Sequence, residues 1–288
     1  MGDTRFCEKN GSVVFEAEDD FDLKKIFGCG QCFRWNEEAD GAYSGVALGR
    51  AARIRQEGSS VSITGTAEDF RSVWSGYFDL GRSYAEARRA LCTDGYLKAA
   101  SDFGAGIRIL NQDRWETLCS FILSQCNNIP RIKKIIEALC GAFGAETELE
   151  GRSFCTFPDA GTVARLSEAE LAPLRAGYRA PYLLAAARAV DSGALDLEAL
   201  ARGDADAAKR ALTALPGIGG KVADCVLLFS LRVPRAFPMD VWIKKAVAEH
   251  YPDGLDPAVF GDNAGLAQQY MYYYQREGGA ALDTCAAG

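Results

Sequence analysis

LPGIGGKVADC, residues 215–225, sets three glycines in a turn and places a lysine directly after them. Glycine-rich turns ahead of helices commonly hold phosphates, so the kind of phosphate decides the fold. A Walker A loop requires GxxxxGK[ST]. Gly220-Lys221 supplies GK, but Leu215 stands at the first glycine and Val222 where a hydroxyl must bind Mg²⁺. The dinucleotide fingerprint GxGxxG fails at Val222, and the preceding segment has helical rather than strand periodicity. The pattern that fits is a helix over 204–214, a Pro-Gly-Ile-Gly turn, and a second helix over 220–231. In that helix Val222, Cys225, Val226 and Phe229 form one apolar stripe. This is a helix–hairpin–helix. Gly217 and Gly219 allow positive φ and close approach, so backbone N–H groups can meet a DNA phosphate. Such a contact carries no base sequence information. A plain turn between helices is the alternative, common for one glycine and less so for PGIG.

Lys221 falls in the first turn of the second helix, where the macrodipole disfavours a cation. That field and partial burial both favour the neutral amine, and a neutral amine is a nucleophile. A surface lysine or a phosphate contact is the plainer alternative. Asp240 precedes the periodic residues Val241, Ile243, Ala246 and Val247, and an aspartate there suits an N-cap. The helix carrying Lys221 is about 16 Å long, and segment 232–239 can reach back up to roughly 26 Å. Pro234 and Pro238 stiffen that return. A lysine and a carboxylate can therefore share one cleft.

With 288 residues, 48% hydrophobic and 25% charged, the chain is long enough for one large or two modest soluble domains. No apolar run reaches membrane-spanning length, and the start MGDTRFCEKN lacks a signal-peptide core, so an intracellular protein is expected. Several of the ten cysteines sit in apolar helical runs and are expected to be buried free thiols. CGQC at 29–32, placed in a strand-like context, lacks further ligands, so no metal site is expected. His250 is the single histidine, which excludes multi-histidine metal sites. The net charge of −7 argues weakly against nucleic acid, because phosphate affinity depends on local patches.

Runs at 12–18, 32–38, 43–49, 52–58 and 60–65 alternate and are broken by Gly and Asp, predicting an antiparallel meander. FRSVWSGYF (70–78) shifts toward helix, and from about 105 onward the chain reads as helical. The fold class is α+β: an N-terminal antiparallel sheet domain (1–104) packed on a mainly helical body (105–288), with the hairpin at 204–231.

LPGIGGKVADC followed by VPRAFPMDVWI resembles the helix–hairpin–helix DNA glycosylases with a Gly/Pro-rich loop and aspartate (HhH-GPD). Within them the chain is most similar to the 8-oxoguanine DNA glycosylase/lyases. GQCFRW (30–35), YFDL (77–80), SFILSQCNNIPRI (120–132), AGYRAPY (176–182) and AGLAQQYMYYY (264–274) carry the likeness along nearly the whole chain.

The resemblance implies a bifunctional glycosylase/AP lyase that excises 8-oxoguanine opposite cytosine in base excision repair. Lys221 matches the Schiff-base nucleophile and Asp240 the carboxylate that stabilises positive charge on the sugar. The Gly30 carbonyl matches the acceptor for the N–H that 8-oxoguanine has and guanine lacks. Gln268 matches the reader of the base's pairing edge. Cys225 and Tyr272 match the two faces of the base sandwich, the latter usually Phe, and Pro238 lies beside them. Arg131 and Arg179 match the pair that binds the orphaned cytosine, and Tyr178 the wedge. Cys126 stands where the family places the Asn that fills the void, with Asn127 adjacent, and Trp242 stands where a histidine contacts phosphate. No metal or organic cofactor is implied. After Cys225 only Cys285 follows, so the four-cysteine iron–sulfur loop of some relatives is not expected. The implied partner is double-stranded DNA containing 8-oxoguanine, bound by a monomer through Arg131, Lys133, Lys134, Lys244 and Lys245, in the nucleoid or the nucleus according to source. The competing possibilities are a glycosylase for another damaged base and a non-catalytic helix–hairpin–helix DNA-binding protein.

Overall fold

The alternating runs produce a six-stranded antiparallel sheet in the computed structural model, which describes residues 4–17 and 19–278. Its strands are β1 (Phe6–Lys9), β2 (Ser12–Glu16), β3 (Trp35–Glu37), β4 (Tyr43–Ala47), β5 (Arg50–Glu57) and β6 (Ser60–Thr64). The order across the sheet is β1-β2-β6-β5-β4-β3. β3 to β6 form the expected meander, whereas β2 pairs with β6 instead of β3. A helix at Leu23–Gly28, capped by the Asp22 carboxylate, separates β2 from β3. Val13, Phe15, Ala52, Ile54, Val61 and Ile63 are buried, as a period of two requires. They pack on Phe27, Trp35, Phe70, Trp74 and Phe78. Trp35 stacks on Phe27 at 4.7 Å and donates its N–H to the Tyr77 hydroxyl at 2.8 Å.

The helical body has a second core, which includes Ile122, Ile136, Leu139, Leu183, Val226 and Phe229. Helices occur at Arg114–Ser124, Ile129–Phe143, Ala180–Asp191, Ala205–Thr213, Gly220–Phe229, Val241–His250 and Ala264–Arg276. Asp113 and Asn128 cap the first two, and Pro130 sits in the first turn of the second. The body is not helical throughout. Glu146–Leu149 pairs with Arg152–Cys155 in a hairpin whose turn residues, Glu150 and Gly151, have φ of 50° and 73°. Those signs match a tight two-residue hairpin turn. Each strand is only four residues long and partly exposed, too short to imprint a clear period.

CGQC does not lie on a strand. Cys29 ends the Leu23–Gly28 helix, and the segment that follows is held by side chains from elsewhere. Gln31 is fully buried; its Nε2 donates to the carbonyls of Ile26 and Arg108, and its Oε1 accepts from Leu110 N–H. Burial pushes the Cys29 thiol up to about 12 and the Cys32 thiol higher still. Among the described residues no cluster of His, Cys, Asp and Glu is arranged to hold a metal, and Cys285 lies outside them. The buried Arg108 guanidinium donates to the carbonyls of Asp20, Phe78, Asp79 and Arg82 and lies 4.1 Å over the Tyr84 ring. It thereby joins the sheet domain to the helices that follow. Among the described residues no helix is long and apolar enough to cross a membrane.

Candidate active site

The hairpin forms where its glycines allow. Gly217 has φ +77°, and a Cβ there would come within 2.3 Å of the Tyr182 ring, so only glycine fits. Gly219 departs from the sequence expectation. Its φ is −89°, an ordinary extended N-cap, because one left-handed residue already reverses the chain. The space beside its Cα is open, and no side chain caps the helix it begins. The first-turn N–H groups there remain free for an outside acceptor. Lys209 and the largely buried Asp224 join the two helices at 2.7 Å. Burial raises the Asp224 pKa, and Lys209 opposes that rise.

Lys221 leads from this helix head into a cavity of about 480 Å³. Its ammonium sits 5.1 Å from the centre of the Phe121 ring, one turn before Cys225, whose thiolate form its charge favours. Burial pushes that thiol up to about 11, so Cys225 presents a neutral, soft wall. Asp240 caps the Val241–His250 helix as expected, accepting from Ile243 N–H at 2.9 Å, and lines the same cavity. Burial raises its pKa, while the Ile243 and Trp242 N–H groups and the Lys221 charge oppose the rise. The return of the chain over 232–239 therefore does bring lysine and carboxylate to one cleft. That returning segment is tied to the Ala264–Arg276 helix, since the Pro234 carbonyl accepts from Gly265 N–H at 2.8 Å.

The cavity also gathers Gly30, Pro238, Gln268 and Tyr272. Gly30 has φ +78°, and a Cβ there would approach the Tyr272 hydroxyl to 3.0 Å. Tyr272 is held in turn by Arg276, whose guanidinium lies 5.1 Å from the ring centre, donates to the phenol at 3.3 Å and also donates to the Gly28 carbonyl. Cys126, Asn127, Gly219 and Trp242 also line it.

Residues 13–118 match the 8-oxoguanine DNA glycosylase N-terminal domain, and residues 119–257 match the HhH-GPD superfamily of base excision DNA repair proteins. The 8-oxoguanine glycosylase/lyase of Clostridium acetobutylicum, solved with double-stranded DNA containing cytosine opposite 8-oxoguanine, is 38% identical. The match covers 96% of this chain and 98% of that one, with a TM-score of 0.90. The chain belongs to the 8-oxoguanine DNA glycosylase family. MBOgg1, solved with a low-affinity DNA ligand, is 43% identical over 96% of this chain and all of that one, with a TM-score of 0.92. The N-glycosylase/DNA lyase of Saccharomyces cerevisiae is 36% identical over 159 residues, which span 51% of this chain and 42% of the yeast protein.

Of the residues that family resemblance assigns to the opposite strand and the void, Cys126 and Asn127 line the cavity, whereas Arg131, Tyr178 and Arg179 do not. Tyr178 is 51% exposed, with its ring beneath the Arg179 guanidinium at 4.4 Å. Arg179 is buried and donates to the carbonyls of Gln125, Cys126 and Ala176, so its donors hold the 125–126 loop instead of facing solvent. Arg131 is exposed and donates to the Arg175 carbonyl at 3.2 Å. The Asn127 amide caps the end of the Arg114–Ser124 helix through the Leu123 carbonyl. Cys126 is exposed with φ 46°. Lys133 of the expected basic patch is tied to the Trp35 carbonyl. Phe121, Gln31 and Gln269 lie inside motifs quoted above, and Arg276 just beyond one, yet all four act through contacts that no local pattern announces.

Proposed function

We propose that this protein, acting intracellularly as a monomer, removes 8-oxoguanine from double-stranded DNA, preferably opposite cytosine, and then cleaves the abasic strand. The observation that carries this is the convergence of Lys221 and Asp240 on one cavity at the hairpin's head. Its volume lies within the usual range for small-ligand pockets. The damaged nucleotide must leave the stack to enter it. The Lys221 amine attacks C1′ of the sugar, and the base departs with the glycosidic electron pair. Asp240 stabilises the positive charge that develops on the sugar. The attached nitrogen gives up one of its two protons to the departing base, and opening of the sugar ring, with its oxygen taking a proton from solvent, gives a protonated Schiff base. Removal of a C2′ proton then expels the 3′ phosphate by β-elimination.

The Gly30 carbonyl accepts the N7–H unique to the oxidised base, whereas guanine would set a lone pair against it. Gln268 reads the pairing edge, Cys225 and Tyr272 enclose the base, and Pro238 abuts it. Tyr178 wedges the opposite strand, Arg131 and Arg179 bind the orphaned cytosine, and Asn127 lies by the void. In this role the Arg179 donors exchange loop carbonyls for the base. Borohydride trapping on duplexes with 8-oxoguanine opposite each base tests the proposal. A trapped complex on the cytosine duplex supports it; tight binding without trapping sinks the lyase step.

Two further results are expected. Arg131→Ala should narrow the cytosine preference, since each well-formed base contact is worth roughly 1–3 kcal/mol of discrimination. Unchanged excision ratios across the four duplexes would remove that role. Gly219→Ala should melt like wild type but bind duplex more weakly, because its methyl enters the phosphate approach. Gly217→Ala should also lose roughly 1–3 kcal/mol of stability. Thermal melts with fluorescence anisotropy separate the two, and wild-type affinity in both variants would exclude the hairpin as a phosphate site.

A further inference from the structure

The Ala264–Arg276 helix turns two consecutive glutamines to the cavity, and only Gln268 has a role so far. Both line it, and each is 3% exposed. Neighbouring side chains on a helix normally diverge, yet Gln269 Nε2 donates to Gln268 Oε1 at 2.9 Å. The Gln269 Oε1 is buried with no hydrogen-bond partner. Among the described residues the Gln268 Nε2 donates to no protein group.

A carboxamide turned end for end keeps its shape but exchanges donor for acceptor. Reversing Gln268 alone would set its N–H groups against those of Gln269. Reversing both would put the Gln269 N–H groups where its oxygen now lies without a partner. Orphaned buried N–H groups are rarer than under-satisfied carbonyls. The direction of the Gln268 amide is thus set by its neighbour.

We propose that Gln269 is a positioning residue that fixes the Gln268 amide so that the pocket accepts a guanine-type edge and rejects an adenine-type edge. The proposal rests on the assignment of Gln268 as the edge reader. In the fixed direction the Gln268 Nε2 donates to the base carbonyl, and the remaining lone pair of Oε1 accepts the ring N–H. An adenine-type base in the same pose sets donor against donor and acceptor against acceptor.

8-Oxoguanine and 8-oxoadenine share the C8 carbonyl and N7–H but differ along this edge, so their single-turnover excision rates, each opposite cytosine, form the test. Gln269→Met, similar in length and without hydrogen bonds, is expected to shrink the preference for 8-oxoguanine roughly tenfold. Gln269→Glu is expected to shrink it further, because its carboxylate accepts from Gln268 Nε2 and turns the amide round. Trapping on a duplex with a preformed abasic site, where no base is read, measures any loss of sugar chemistry in each variant, and the ratio of the two excision rates is independent of it. An unchanged ratio in Gln269→Met, with the ratio collapsed in Gln268→Met, overturns the proposal and leaves the edge reader in place. An unchanged ratio in Gln268→Met as well defeats the edge reader and this proposal together.

Discussion

Lys221→Gln is expected to abolish borohydride trapping and to lower single-turnover excision of 8-oxoguanine by roughly 10⁴-fold or more, the scale of losing a catalytic nucleophile. Glutamine keeps most of the length and polarity of lysine but has no nucleophilic amine. The substitution should leave the fold intact. Lys221 is half-buried and forms no ion pair among the described residues; its ammonium lies over the Phe121 ring, and its charge acts on Cys225 and Asp240. The helix head is built by Gly217 and Gly219, and the Asp224–Lys209 pair holds the hairpin together independently. Duplex binding should therefore survive, and a lesion duplex held without turnover is the diagnostic outcome. Wild-type excision in a folded Lys221→Gln variant would move the chemistry away from this residue. Lost affinity with a retained rate on bound DNA would make Lys221 a phosphate contact, the plainer alternative.

The parts of the fold and site visible in the sequence share a cause: each is encoded within a dozen residues. Positive φ at Gly217, the cap by Asp240 and the buried stripe Val222, Cys225, Val226 and Phe229 all follow from neighbours along the chain. The convergence of Lys221 and Asp240 was legible as a matter of reach, because the returning segment is short and carries two prolines. What escaped depends on long-range bonds from side chains to backbone carbonyls. Gln31 reaches Arg108, Arg276 reaches Gly28, and Arg179 reaches the carbonyls of Gln125 and Cys126. A carbonyl acceptor leaves no residue-type signature, so such partners cannot be inferred from composition or period. The placement of β2 beside β6 is of the same kind. Alternation shows that Val13 and Phe15 share a face, but not which strand they join.

Asp240 caps a helix and is proposed to stabilise charge on the sugar, and one substitution can separate the two. Asn caps a helix about as well as Asp, so Asp240→Asn should retain the bond to Ile243 N–H while removing the charge. Excision is expected to fall by about 10²–10³, the usual loss when one electrostatic stabiliser is removed from a dry site. Stability should not fall with it. Burial holds the Asp240 pKa above the ordinary 3.8, so the native protein takes up this proton more readily than the unfolded chain. Its contribution to stability is then full below the unfolded pKa and is lost as pH rises through the folded one. At neutral pH the ionised carboxylate is a net cost that asparagine does not carry, and the variant should melt at the wild-type temperature or above. Asp240→Ala, which loses the cap as well, should be about 1 kcal/mol less stable. In the wild type, excision should fail as pH drops through the raised Asp240 pKa, while the residual rate of Asp240→Asn should not show that step. Stopped-time excision across pH 4–8 with parallel melts measures both effects. A wild-type rate in Asp240→Asn would reduce Asp240 to a helix cap and leave the sugar cation to other groups in the cavity.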